Sequence, residues 1–533
     1  MKTIQNVIPS SGIKGLKEFW KSDIVSGFLV FLLALPLSLG IAKASGFPPA
    51  MGVLTAMIGG LFTTFFKVSV LTIKGPAAGL ITICAGAVME MGGDENGWHI
   101  ACAAIMVMAV IQVLFGFLKF GALSDSFPHS SVHGMLAAIG LIIIAKQVPV
   151  LLGVDPTTYK GEGPVQLLAD IPRFVLSAHW HIAVIGLLGL LIMVIFPLLK
   201  INFLKKVPAP MIVLLLAIPL GIVEHLKETE PAYTMVKIGD FWSNVHFNAN
   251  FEMIGTFIFW KYVIMFLFVS SLESLLTVKA VDGLDEHKRE SDYNGDLKAQ
   301  GAGNFIAGML GGLPMISEVV RSSANVGFGA QTKWSNFFHG VFLLIAMLLL
   351  IPLIEMIPNA ALAAMLIFAG YRLAAPKEFF KTYKIGKEQL AIFLVTIIVT
   401  LLEDLLLGIA AGIFVKFIFH LYHGATLKTL FKANYILEKV GNKTIFKIKD
   451  AAVFSNLLGF KNALKNLEKN QEVIFDLSAS NLIDHSFMEF IHHYEREYNI
   501  AGGNFKITGL EFHRSLSEHP LATKVLRKRK NEK

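Results

Sequence analysis

Long apolar runs broken by short polar interruptions fill the chain from residue 24 to residue 422. They fall at roughly 24–43, 50–66, 76–89, 99–119, 131–151, 181–199 and 208–225, then at roughly 258–279, 298–311, 315–327, 334–355, 358–372, 388–402 and 404–422. Helices crossing a bilayer core take about 20 mostly apolar residues, so this pattern predicts fourteen transmembrane segments in two sets of seven. The third member of each set is short and opens on breakers: Gly75 and Pro76 in one, Gly311, Gly312 and Pro314 in the other. Interrupted segments at matching positions of two halves predict inverted repeats whose two broken half-helices meet near the bilayer midplane. After His423 the pattern changes. Strand-like stretches at 439–448, 472–477 and 504–508 alternate with helical ones at 455–468 and 486–498, which predicts a small cytoplasmic α/β domain over 432–528. The expected organisation is therefore an N-terminal cytoplasmic segment (1–22), a transmembrane domain (23–423) and this tail domain, ending in a frayed basic stretch from Lys524.

Composition agrees. Of 533 residues, 54% are hydrophobic and 16% charged, against about 25% charged in soluble domains. The first run has no small-residue cleavage site before Ser45-Gly46-Phe47-Pro48-Pro49, so it reads as a span and not a removed signal peptide. Cys84 and Cys102 both lie in apolar runs, which argues against a disulfide framework or a thiolate metal site. The net charge of +8 sits in flanks and tail and gives no nucleic-acid signal. Lys14, Lys17 and Lys21 precede the first run. Lys200, Lys205, Lys206, Lys279, Lys288, Arg289, Arg372, Lys377, Lys381 and Lys384 fall in loops on the same side, with Asp94, Glu95, Glu228 and Glu230 on the other. That asymmetry puts both termini in the cytoplasm.

The candidate chemistry concentrates at 311–331. A helix that starts late at membrane depth leaves its first N–H groups unpartnered, and such an N-terminus is an anion site; the alternative is a polar cytoplasmic loop. Ser317 and the amides after Pro314 are the expected direct ligands. Glu318 and Arg321, three apart, either pair along the helix or leave Arg321 free to hold an oxyanion with its planar fork. Lys74, beside the other break, either serves as an anion ligand or snorkels to the cytoplasmic interface, the second being the expectation. Glu273 lies inside an apolar run, where a charge costs about 2.5–3.5 kcal/mol, so it should face a cavity or a partner. Thr277 lies one turn on, and a carboxylate with a hydroxyl suits a hard cation or a proton; Glu318 could supply a second such site. Glu403 and Asp404 read as an interfacial turn. No His/Cys cluster has metal spacing and no nucleophile elbow occurs, which argues against an enzyme; His129 and His133 read as interfacial.

An ordered series of motifs then resembles the SulP family of anion transporters. It runs through Leu35-Pro36, Gly46-Phe47-Pro48-Pro49, Gly75-Pro76, Leu272-Glu273-Ser274-Leu275-Leu276-Thr277, Val281-Asp282-Gly283, Ala299-Gln300-Gly301 to Asn304, Gly311-Gly312-Leu313-Pro314, Arg321-Ser322-Ser323-Ala324-Asn325 and Gly329-Ala330-Gln331-Thr332. Phe475-Asp476-Leu477-Ser478 and Ile483-Asp484-His485-Ser486 resemble a STAS domain, the family's usual cytoplasmic tail. The resemblance implies core and gate domains, elevator-like motion, homodimers and a regulatory partner for the tail. It implies an anion pocket between the third and tenth segments, which carries the anion-binding role to Gly75, Pro76, Ala77, Ala78, Ser317, Glu318, Val319 and Arg321. It implies a coupling-cation site at Glu273 and Thr277, with Ser317 and Glu318, as in the family's sodium-coupled bicarbonate members. Glu273 replaces their Asp, and Glu318 stands where small residues are commoner, so a proton competes with sodium as the coupling ion. Ser486 matches a phosphorylatable position of related bacterial regulators and is read here as a helix cap. The implied function is secondary active transport of sulfate or bicarbonate by sodium or proton symport across the cell inner (plasma) membrane, with no other cofactor. An anion exchanger or channel, or a dicarboxylate carrier on the same fold, is the alternative; nucleobase carriers can share the plan, but the STAS-like tail argues against them.

Overall fold

The computed structural model describes the chain from residue 9 to residue 527, except 11, 122–127, 200–206, 230–231, 240, 288, 404, 442, 466, 468–470 and 501. Lys200, Lys205, Lys206, Glu230, Lys288, Asp404 and the tail from 528 lie outside the described residues, as do the side chains of Asp94 and Glu95. The first seven apolar segments form helices Gly12–Ala44 (α1), Pro49–Leu61 (α2), Ile81–Glu90 (α3), Gly93–Phe117 (α4), His129–Leu151 (α5), Trp180–Ile195 (α6) and Ala209–Val223 (α7). The second seven form Phe257–Leu284 (α8), Tyr293–Met309 (α9), Val319–Gly327 (α10), Trp334–Leu349 (α11), Asn359–Leu373 (α12), Lys387–Leu402 (α13) and Leu405–Tyr422 (α14). Strands Lys74–Pro76 (β1) and Met315–Ser317 (β2) precede α3 and α10. The chain is thus a multi-pass membrane protein, and six of its described helices are long and apolar enough to cross a bilayer unaided.

The two halves repeat each other's packing. Where α2 packs on α11, α9 packs on α4; where α1 packs on α11, α8 packs on α4; where α1 touches α10, α8 touches α3. Likewise β1 lies on α2 and β2 on α9, and the pair α6–α7 is matched by α13–α14. For these pairs, adding seven to each helix number, cyclically, maps one contact onto the other. The antiparallel pairing of β1 with β2 accords with an inverted repeat, which an odd number of segments per half requires.

Boundaries follow local chemistry. Thr256 starts α8 by accepting the Phe259 amide. Asp292 starts α9 by accepting the Gly295 amide at 2.9 Å, six residues before the apolar run that marks it in the sequence. Contacts divide the chain into two units, Met1–Gly121 with Ile139–Leu373, and Ala122–Ala138 with Ala374–Lys533. The first unit contains both interrupted segments.

In the second unit, the tail folds as strands Tyr435–Val440 (β3) and Lys443–Ala452 (β4), helix Leu457–Lys465 (α15), strand Glu472–Ile483 (β5), helix His485–Ile500 (α16), and strands Asn504–Thr508 (β6), His513–Ser515 (β7) and Lys524–Leu526 (β8). Its sheet runs β3-β4-β5-β8-β7, with β6 also on β5. Phe446, Phe460, Phe475 and Phe487 fill its core. Two expectations are corrected. The single strand expected over 439–448 is a hairpin, because Gly441 takes a positive φ of 61°. The basic stretch does not fray from Lys524, because 524–525 pair with β5 and 524–526 with β7.

Candidate functional site

The two chain breaks meet. β1 and β2 form a three-residue antiparallel ladder in which Lys74 faces Ser317, Gly75 faces Ile316 and Pro76 faces Met315. From this ladder α3 departs after a turn at Ala78–Leu80, and α10 departs at Val319. Non-helical backbone at membrane depth survives only if its polar groups find partners, and side chains provide them. Thr55 exchanges two hydrogen bonds with Leu313. Asn304 accepts the Met315 amide, and Gln300 donates to the Met315 carbonyl at 2.8 Å. Ser274 accepts the Ser317 amide, Ser322 the Ile73 amide, and Asn336 the Lys74 amide. The polar residues of the Gln300–Asn304 motif therefore serve as a scaffold for the break.

Arg321 sits in the first turn of α10, 0% exposed, and its Nε, Nη1 and Nη2 are all without a hydrogen-bond partner. Its guanidinium presses against Gly75. Glu318 does not pair with that guanidinium: its carboxylate caps α10 by accepting the Arg321 amide at 2.7 Å. A buried cation left unpaired costs several kcal/mol, so this guanidinium calls for a negatively charged partner. Glu273, 9% exposed in the middle of α8, lays its carboxylate against Gly79 at the opening of α3, and its Oε2 has no partner. Thr277 is buried one turn further along. Glu318 is within electrostatic reach of both Glu273 and Arg321. One guanidinium and two carboxylates therefore gather where the two half-helices begin. Gly75 and Pro76 lie in the ladder, Ala77 and Ala78 lead into α3, and Val319 opens α10, 40% exposed.

Ser317 stands one step behind this group. Its hydroxyl is paired with Lys74 Nζ and lies 3.3 Å from Asp296. Lys74 does not snorkel: it is 0% exposed, and its Nζ is 2.6 Å from each oxygen of Asp296, a buried ion pair tying β1 to α9. Sequence reading missed Asp296, because a span drawn from the apolar run at 298 leaves it outside. It also missed His339, one turn beyond Asn336 on α11, which is fully buried with both ring nitrogens unpartnered and within electrostatic reach of Arg321. In the tail, Asp484 and not Ser486 caps α16, accepting the Phe487 amide at 2.8 Å.

Comparison with known proteins adds a family and a fold. The model of the sulfate permease family matches residues 20–396. The bicarbonate transporter BicA of Picosynechococcus sp. is 24% identical over 407 residues, 74% of this chain and 69% of its own. The structure of the transmembrane domain of a cyanobacterium bicarbonate transporter BicA superposes with a TM-score of 0.62 at 20% identity, over 74% of this chain and 97% of that one. The murine Solute Carrier 26 family member A9 anion transporter in its inward-facing state superposes with a TM-score of 0.68 at 16% identity, over 92% and 86%. The tail is compatible with a STAS domain.

Proposed function

The chain belongs to the sulfate permease family, and from that premise we propose that it carries a small inorganic oxyanion, sulfate or bicarbonate, through the membrane at the meeting point of α3 and α10. The observation that carries this reading is Arg321: a fully buried guanidinium with three unpartnered nitrogens, beside two half-helix N-termini. Such a place is matched to an oxyanion in charge, in donor geometry and in dipole direction.

The coupling reading rests on Glu273. Its partnerless oxygen calls for a cation or a proton as Arg321 calls for an anion, and loading one monovalent cation with one bicarbonate leaves the site's net charge unchanged, whereas one with sulfate adds a single negative charge. Thr277, one turn away, adds a hydroxyl ligand suited to sodium. The drive is physical. Moving one charge against 100 mV costs about 2.3 kcal/mol, so one cation per bicarbonate makes entry electroneutral. The repeated packing of α1–α4 with α8–α11 around the ladder supports their moving as one body past the remaining helices, the elevator-like motion. We place both termini in the cytoplasm of a cell-membrane protein, from the basic flanks of α1, and expect a homodimer whose tail takes a regulatory partner.

Uptake of labelled sulfate and of labelled bicarbonate into proteoliposomes, with and without a sodium or a proton gradient, tests this. Gradient-driven accumulation of either anion supports symport. Uptake indifferent to both cations favours the exchanger or channel reading and removes Glu273 from coupling.

A further inference from the structure

A cavity lined mainly by apolar groups, with a few polar side chains at its wall, lies at the end of α1 away from its N-terminus and shares no residue with the Arg321 site. It holds about 350 Å³ of empty space, including its open mouth, and its polar lining is Lys43, Tyr159, Tyr233, Thr234 and Asn359. Two of these groups are unmatched. Lys43 Nζ carries a charge and three donors, yet among the described residues its one acceptor is the Tyr233 carbonyl at 3.2 Å, and no carboxylate pairs with it. Asn359 is 2% exposed, and its amide nitrogen is fixed by the Tyr233 and Met235 carbonyls, each at 2.7 Å. Those two bonds settle which way the amide points, and they leave Oδ1 buried without a partner. Tyr159 stays a hydroxyl at neutral pH, because burial, with Tyr233 and Asp155 nearby, pushes its phenol up to about 12.

A buried polar atom such as Asn359 Oδ1 is seldom left unpaired, and it and the half-buried Lys43 ask for opposite things. Lys43 needs negative charge; Asn359 Oδ1 needs a hydrogen-bond donor. Sulfate and chloride carry no hydrogen at neutral pH and answer only the first. A hydrogen-bearing oxyanion answers both, and bicarbonate is the smallest: its charged oxygens suit Lys43 and its O–H suits Asn359. We propose that this cavity is a second anion site, selective for bicarbonate-type ions over sulfate, where an ion is held before or after it visits Arg321. The site stands on its own geometry; only its place in a transport sequence rests on the reading above.

The test titrates purified full-length protein against ¹³C-bicarbonate and reads ligand line broadening. In the Arg321→Ala background, broadening that persists reports this cavity. Adding Lys43→Gln should reduce it about ten-fold, the loss of one charge-assisted contact. Lys43→Arg should keep it, and equimolar sulfate should not displace it. Broadening already lost in Arg321→Ala alone, kept undiminished in the Arg321→Ala, Lys43→Gln double variant, or displaced by sulfate in the Arg321→Ala background overturns the proposal. Broadening that Arg321→Ala leaves wholly untouched, and Lys43→Gln removes, sinks the Arg321 reading and leaves this site standing.

Discussion

A β-carbon placed on Gly75 would lie 2.5 Å from Nη1 of Arg321. The guanidinium of one half-helix occupies the room that glycine leaves on the strand before the other. The two interrupted segments are thus matched to each other atom against atom, and the charge of the site is set by that fit.

Gly75→Ala therefore displaces Arg321 without removing it. We expect an anion affinity at least about ten-fold weaker, a loss of about 1.4 kcal/mol, in a protein that still elutes as a single species. Saturation of uptake against anion concentration checks this; an unchanged KM would mean the guanidinium does not face the substrate.

Glu273→Gln keeps the shape beside Gly79 and removes the charge. Uptake in the variant should lose its response to the cation gradient while anion binding persists. Strictly electroneutral sulfate uptake that Glu273→Gln leaves unaltered would take this residue out of coupling.

Lys74 and Asp296 are a buried pair, so breaking it on one side costs about 3–5 kcal/mol, whereas replacing both partners by apolar residues is often close to neutral. Asp296→Asn should lower the melting midpoint in detergent by several degrees. Lys74→Met combined with Asp296→Leu should recover much of that loss. Equal melting of the single and double variants would deny the pair a structural role.

Asp484 is gripped by Lys416 Nζ at 2.9 Å and His420 Nε2 at 3.4 Å while it caps α16. Burial pushes its carboxyl upward, but Lys416, His420 and the Phe487 amide outweigh this and hold it well below the usual carboxylate range. A depressed folded value stabilises fully above the unfolded value of about 4, and the gain is lost as pH falls below that. The Asp484→Asn variant should thus melt lower than the parent throughout the neutral range, with the gap closing only below about pH 4. Hydrogen exchange across α16 in the full chain measures it, and a gap that already closes between about pH 5 and pH 6 would contradict the assignment.

The outline of this fold was legible because membrane depth writes long apolar runs and because Gly311, Gly312 and Pro314 punctuate one of them as Gly75 and Pro76 do another. Arg321 and Glu273 stood out for the same reason: charge is costly among apolar neighbours. What could not be read was pairing across the chain. Lys74 finds Asp296 222 positions away, so a local reading sent it to the interface. Ser317 looked like a ligand because it follows Pro314, yet its hydroxyl was already bound to Lys74. The ladder itself, three residues on each side, is too short for any alternation to announce it.

The central claim is that Arg321 meets the transported anion, and equilibrium binding of labelled sulfate and labelled bicarbonate to purified protein tests it most directly. Arg321→Ala should weaken the tighter-bound of the two at least about ten-fold, with Arg321→Lys intermediate. Undiminished affinity in a folded Arg321→Ala protein would make the guanidinium a part of the scaffold and contradict the account.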